Sequence, residues 1–244
     1  MTPCRLQKLP LKHLDWERFA EVLGKAHETL ARFDLLVGAR DLPLLLEREV
    51  KALRKEERAG YIELLDFSWR VMKDEAISTQ LLCRMHSILQ PVQKGKFRKR
   101  QNWIGPKGCG REDAYFLPPS YGRVSEGMRD LSAYGKRREK DPLLQLAIYF
   151  AQLLIIHPFM DANGRLARAV IPLFLYEKGK ISSPRFYLSA YFKRRRLEYF
   201  EKLYLISVAK DWEGWICFFL QGVVEEGEKI IRQCRRCRSF SSSS

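Results

Sequence analysis

Twelve consecutive residues, His157-Pro158-Phe159-Met160-Asp161-Ala162-Asn163-Gly164-Arg165-Leu166-Ala167-Arg168, hold most of the groups that phosphate chemistry needs. His157, with a reference pKa of about 6.5, can take a proton from an attacking hydroxyl near neutral pH. Asp161 is a hard oxygen ligand of the kind Mg²⁺ takes beside phosphate oxygens. Ala162 and Gly164 are small enough to let backbone N–H groups turn inward as an anion nest on a helix N-terminus. Arg165 and Arg168, three apart, fall on neighbouring parts of one helical face, and two guanidinium forks beyond a nest suit a di- or triphosphate. Each part also has a plainer reading. A His before Pro is more often a buried hydrogen-bonded residue, Asp-x-Asn-Gly a capped turn, and an Arg pair three apart a solvated face. Within one short segment, all of those plainer readings would have to hold together.

The elements that must position this segment are helical. Apolar residues recur three and four apart over Leu14 to Leu36, Pro43 to Arg58, Gly60 to Lys73, Ile77 to Leu89, Val124 to Tyr134, Pro142 to Ile156, Gly164 to Glu177, Tyr191 to Val208 and Trp212 to Arg236. Asp74, Asp141, Ser189 and Asp211 stand where N-caps would, and Gly179 where a helix would end. From Gln90 to Ser120 the pattern breaks into a Gly- and Pro-rich stretch around the β-favouring strings Asn102–Ile104 and Tyr115–Leu117, a loop with a short hairpin. The reading is all-α. A soft boundary near Asp74 separates an N-terminal helical part, 1–73, from a core, 74–208, and a C-terminal helix with a frayed Ser-rich tail, 209–244.

Composition excludes several classes. With 244 residues, 46% of them hydrophobic and 30% charged, the chain reads as a soluble globular protein. The longest apolar run, Leu143 to Ile156, is too short for a membrane span, which needs about 20 residues. No signal peptide is visible and six scattered cysteines suggest reduced thiols, so a cytoplasmic location is expected. The Cys234-x-x-Cys237 pair lacks the second pair that would close a zinc site. The net charge of +15 is concentrated: Lys94–Arg100, Lys136–Lys140, Lys193–Arg196 and Arg232–Arg238 hold 17 of the 44 basic residues, and the remainder is near neutral. Such patches ask for an anionic partner.

The segment 157–168 resembles the signature of the Fic family, His-Pro-Phe-x-Asp/Glu-Gly/Ala-Asn-Gly-Arg-x-x-Arg, at every fixed position. Phe97-Arg98, Gln101-Asn102-Trp103-Ile104-Gly105 and Phe116-Leu117-Pro118-Pro119 are similar to the family's flap, placed here at 94–119. Tyr187 to Phe192, Tyr199-Phe200 and Asp211 to Ile216 resemble segments of the larger bacterial members, as does the N-terminal helical stretch. The resemblance implies a Fic-fold helical bundle with a hairpin flap and an N-terminal helical extension. It implies an adenylyltransferase moving AMP from ATP, with Mg²⁺, to a Tyr, Thr or Ser hydroxyl of a target protein. By carry-over, His157 is the general base and Asp161 holds the metal. Asn163, Gly164 and Arg165, with the permitted variant Ala162, cradle phosphates, and Arg168 clamps the γ-phosphate. Tyr187 and Leu188 line the adenine pocket, and Trp103, Ile104 and Gly105 in the flap position the target.

The chain departs from the family at three places. Many relatives carry an inhibitory helix, Ser/Thr-x-x-x-Glu-Gly/Asn, whose Glu occupies the second motif arginine. Here residues 47–60 hold Glu56 and Glu57, preceded four residues earlier by Ala52 and Leu53 and followed by neither Gly nor Asn. The brake reads as degenerate, with a Glu56 or Glu57 lock on Arg168 as the alternative. Arg195 replaces an Asn near the adenine, and Arg offers only donors, which opens the choice of base. Ala162 also occurs in a phosphocholine-transferring branch that uses CDP-choline. The donor alternatives are therefore UMP or GMP transfer and phosphocholine transfer. Rival readings of another class are a basic nucleic-acid-binding protein and a scaffold without catalysis. A homodimer and a separate antitoxin-like regulator are partners to consider.

Overall fold

A computed structural model describes residues 3–105 and 108–241, with side chains described as far as Cys237. Ten α-helices are present among them: α1 (Ala20–Leu36), α2 (Leu42–Lys51), α3 (Arg58–Val71), α4 (Thr79–Leu89), α5 (Val124–Lys136), α6 (Pro142–Ile156), α7 (Asn163–Glu177), α8 (Ser189–Arg194), α9 (Arg196–Ala209) and α10 (Trp212–Ser241). Among the described residues no helix is long and apolar enough to cross a membrane.

The centre is α6, every residue of which from Leu143 to Ile156 is buried. Asp141 caps it by accepting from the Leu143 and Leu144 N–H groups at 2.8 and 3.1 Å, and Pro142 occupies the first turn, where a missing N–H costs nothing. A helix apolar all round must be covered all round, and α5, α7, α9 and α10 do this. Trp215 of α10 donates its indole N–H to the Ala147 carbonyl at 2.8 Å, and its ring stacks on Phe150. α7 ends in a left-handed Gly179, with Gly179 N–H on Tyr176 O and Lys180 N–H on Leu175 O.

The expected helices are found with shifted edges. The stretch from Leu14 enters as a 3₁₀ turn at Trp16–Arg18 before α1. Pro43 to Arg58 closes at Lys51, and a 3₁₀ turn at Lys55–Glu57 leads into α3. Ser78, not Asp74, caps α4 through the Leu81 N–H. The single helix expected over 191–208 is interrupted at Arg195, which separates α8 from α9. The flap is held by one antiparallel bridge, Ile104 with Phe116. Its Pro106 and Lys107 lie outside the described residues, as do Ser242–Ser244 of the tail, whereas the backbone of 239–241 continues α10. The buried apolar core runs without interruption from Phe19 to Cys234, and α1 packs along α10.

Candidate active site

The signature segment is a loop between α6 and α7 whose main chain is tied down at nearly every residue. His157 terminates α6 in the left-handed region, φ 49°, followed by Pro158. Arg98, buried at the root of the flap, donates its Nε–H to the His157 carbonyl at 2.8 Å and its Nη2 to the carbonyls of Ile156 and Pro119. Its own N–H bonds the Pro158 carbonyl at 2.9 Å. Asn102 and Asn163 both donate to the Phe159 carbonyl, while Asn163 Oδ1 accepts from the Phe159 N–H at 2.9 Å. His86 of α4 stacks on Phe159 with ring centroids 3.8 Å apart and meets the Asp161 carbonyl at 3.1 Å. These bonds fix where the His157 ring and the first turn of α7 can lie.

α7 then opens on Ala162, also left-handed at φ 63°. The first helical bond of this turn is Leu166 N–H to Ala162 O, so the N–H groups of Asn163, Gly164 and Arg165 precede it and point outward as a cradle. A Cβ on Gly164 would lie 3.3 Å from Arg168 Nη1, so the guanidinium closes directly over this turn. A cavity of about 240 Å³ joins these parts, with His157, Gly164 and Arg168 on one side and the flap residues Ile104 and Phe116 on another. Tyr199, Phe200 and Tyr204 of α9 give it an aromatic wall. Arg168 Nε is buried without a hydrogen-bond partner, a donor left unsatisfied in this structure. Asp161 is mostly exposed, its Oδ2 taking a 3.1 Å bond from Gln90 and lying 3.5 Å from Arg165.

Electrostatics divide the site. Removal from water lowers the His157 pKa to about 4; the nearby Arg98 charge pushes the same way, against a bond to the Leu154 carbonyl that raises it. The ring is therefore neutral across physiological pH, as a proton acceptor must be. Burial also lowers Arg98 to about 10, leaving it charged at neutral pH. On the far side, Glu49 of α2 is buried, with Oε1 accepting from the Tyr61 and Ser189 hydroxyls. Burial raises its pKa against the Ser189 bond, the Arg168 charge and the Tyr61 bond, and its Oε2 has no hydrogen-bond partner.

Several sequence-derived assignments change here. The Asn163 side chain is spent on Phe159, so only its N–H can serve a phosphate. Tyr187 and Leu188 are buried away from the His157 cavity; Tyr187 lines a separate apolar cavity with Trp69 and Pro172 and donates to the Pro184 carbonyl. Arg195 is held by Glu198 and Glu225 at 3.1 and 2.7 Å and does not line the cavity. Glu57 meets Arg165, at 3.6 Å, rather than Arg168, and also accepts from Arg54. Burial would raise Glu57, but the Arg54 bond and the Arg165 charge outweigh it and lower its pKa. Glu56 is exposed beside Arg54. Ile104 borders the cavity, whereas Trp103 projects into solvent with its indole N–H on the Cys109 carbonyl; Gly105 follows with Cys109 and Ala114 packed close to it. Sequence reasoning missed Glu49, His86 and Gln90, which stand far from the signature and carry no local pattern.

Residues 76–175 match the Fic/DOC family. The chain is 27% identical over 125 residues to protein adenylyltransferase fic-1 of Caenorhabditis elegans and 28% identical over 125 residues to that of Caenorhabditis briggsae. The match takes in 48% of this chain and 23% of each relative, so the chain spans under a quarter of the length of these curated relatives. Among solved structures, a Fic family protein from Desulfovibrio desulfuricans is similar with a TM-score of 0.76 and 17% identity, over 92% of this chain and 77% of the other. A portion of Fic-1 from C. elegans is similar at 0.63 and 19%, over 92% and 73%. At these identities the structural likeness establishes the fold.

Proposed function

We propose, from the match of residues 76–175 to the Fic/DOC family, that this chain transfers AMP from ATP to a Tyr, Thr or Ser hydroxyl of a target protein, releasing pyrophosphate. The observation that carries the reading is the convergence of a neutral His157, the open first turn of α7 and the Arg168 guanidinium on one aromatic-walled cavity. His157 takes the hydroxyl proton as the oxygen bonds the α-phosphorus; the bond from that phosphorus to the β-phosphate bridge breaks. The N–H groups of Asn163, Gly164 and Arg165 and the guanidinium of Arg168 receive the charge that develops on the departing pyrophosphate. Tyr199, Phe200 and Tyr204 offer faces against which a purine can pack. With Arg195 outside the cavity, the choice of base falls to this wall and to main-chain groups.

Asp161 is the residue that would hold Mg²⁺, which when bound neutralises phosphate charge. No group of three or more metal-ligating side chains occurs among the described residues. One exposed carboxylate beside a phosphate cradle fits an ion that draws its other oxygens from substrate and water.

Label transfer from α-labelled ATP, GTP and UTP, and from CDP-choline, onto protein acceptors tests the proposal with wild type against His157→Ala. ATP is the expected donor, and His157→Ala abolishes labelling. Preference for another donor would overturn the AMP assignment, and indifference to His157→Ala would overturn the enzyme reading itself.

A further inference from the structure

The four basic runs of the sequence fare differently in the fold. In Lys193–Arg196, Arg194 pairs with Glu226, Arg195 with Glu198 and Glu225, Arg196 lies over the Phe200 ring, and Lys193 donates to the Lys51 carbonyl. In Lys136–Lys140, Arg137 pairs with Glu139 and Lys140 sits over Trp16, while Lys136 and Arg138 are exposed without an ion pair among the described residues. In the last run, Arg232 approaches Glu228. Within Lys94–Arg100, by contrast, Lys94, Lys96, Lys99 and Arg100 are all exposed, and none is within ion-pair distance of a carboxylate among the described residues.

The backbone that carries these cations is held in place. Lys94 and Gly95 are both left-handed, at φ 49° and 65°, forming a tight turn. A Cβ on Gly95 would sit 2.1 Å from the Cys83 carbonyl oxygen, so this turn lies flush against α4. Phe97 packs on Phe159, and Arg98 is buried on the catalytic loop. The segment thus alternates anchored residues (95, 97, 98) with projecting cations (94, 96, 99, 100). A non-glycine residue kept left-handed marks a site where the surroundings over-determine the backbone. Lys99 adjoins the residue that bonds the His157 carbonyl, so the strip ends beside the catalytic loop.

The geometry points to a docking strip, formed by Lys94, Lys96, Lys99 and Arg100, for an acidic segment of the target protein that flanks the acceptor hydroxyl. This rests on the transferase reading above and names the chemistry of its target. Four unpaired cations on a fixed backbone attract and orient an acidic partner without any ordering of the main chain. A nucleic acid is the less favoured occupant: Phe97, the aromatic within the strip, is packed on Phe159 and presents no free face for base stacking.

The test uses fluorescent peptides carrying one acceptor hydroxyl with acidic, neutral or basic flanks, and a single-stranded RNA of equal charge to the acidic peptide. Binding is measured by anisotropy at low and high salt, alongside ATP-dependent labelling. The acidic peptide is expected to bind wild type at least about tenfold tighter than the neutral one, with the advantage shrinking at high salt. K94E/K96E/K99E/R100E is expected to erase the advantage while retaining ATP binding, and the milder K96Q/K99Q to reduce it. Equal binding of acidic and neutral peptides overturns the proposal. So does RNA binding that the reversal abolishes without matching acidic-peptide binding. Selective acidic-peptide binding without any nucleotide transfer would leave the strip standing and sink the transferase reading; labelling that ignores peptide charge would do the opposite.

Discussion

The two banks of the site are held by different forces. On the loop bank, the carbonyls of Ile156, His157, Pro158, Phe159 and Asp161 meet Arg98, Asn102, Asn163 or His86. Its shape is fixed by directional bonds to the main chain, before any ligand arrives. On the helix bank, Glu49 acts on Arg168 and Glu57 on Arg165 through charge, and Glu49 Oε2 and Arg168 Nε are buried without hydrogen bonds. Fixed geometry on one side and unmet charge on the other suit a reaction that demands a positioned base and exchangeable phosphate contacts.

The largest effect should come from the loop bank's chemistry. His157→Ala is expected to lower transfer by about 10²–10⁴-fold, the usual worth of a positioned general base, with nucleotide affinity nearly unchanged. The acid limb of kcat/KM for wild type should fall far below the ordinary His range, toward pH 4. The linked stability effect has a definite sign. The folded pKa lies below the unfolded value of about 6.5, so between those pH values the unfolded chain binds more protons. Acid therefore destabilises across that window, and the effect is absent above it. A limb near 6.5 would mean that the ring is more hydrated than its surroundings indicate.

Next in size is the bond network itself. Arg98→Met leaves several buried carbonyls without their donor, at about 1–3 kcal/mol for each unsatisfied group. A net loss of about 3 kcal/mol is expected, roughly 6–12 °C in Tm for a chain of this size. Arg98→Lys should recover part of the stability but not the geometry, because one ammonium cannot copy a planar fork. A full recovery of transfer by Lys would show that charge, rather than direction, holds the loop bank.

The helix bank should respond in the opposite sense. Glu49→Gln keeps an oxygen for Tyr61 and Ser189 yet removes the negative charge beside Arg168. ATP affinity should rise by about 3–10-fold, on the order of 1 kcal/mol, with little change in Tm. Calorimetric titration of both forms decides it, and weaker binding by the variant would show that Glu49 orients Arg168 instead of competing for it.

The same contrast explains what could be read from sequence. The loop bank is local, so His157, Asp161, Gly164, Arg165 and Arg168 stand together in the chain and in space. Pro142, Asp141 and Gly179 likewise announce the helix ends that frame them. Glu49 reaches Arg168 across more than a hundred residues, without a spacing that marks it. Arg195 stands near the base only by the family resemblance, where it takes the place of an Asn; the helix break at that residue turns it toward Glu198 and Glu225. The resemblance implies a phosphate-cradling Asn163, but an amide offers donor and acceptor together, and the Phe159 peptide uses both.

The smallest predicted effect concerns Ala162. Its left-handed φ of 63° costs an alanine about 1–2 kcal/mol, a strain that glycine escapes. Glycine forfeits about 0.5–1 kcal/mol of that gain through the entropy of the unfolded chain. Ala162→Gly should therefore stabilise by at most about 1.5 kcal/mol, a Tm rise of up to about 6 °C, with transfer unaltered because the N–H direction is already set by Asp161 and α7. A fall in transfer with Tm unchanged would show that the Ala162 methyl group, buried against the core, helps hold the cradle. The loop bank would then depend on side-chain packing as well as on its hydrogen bonds.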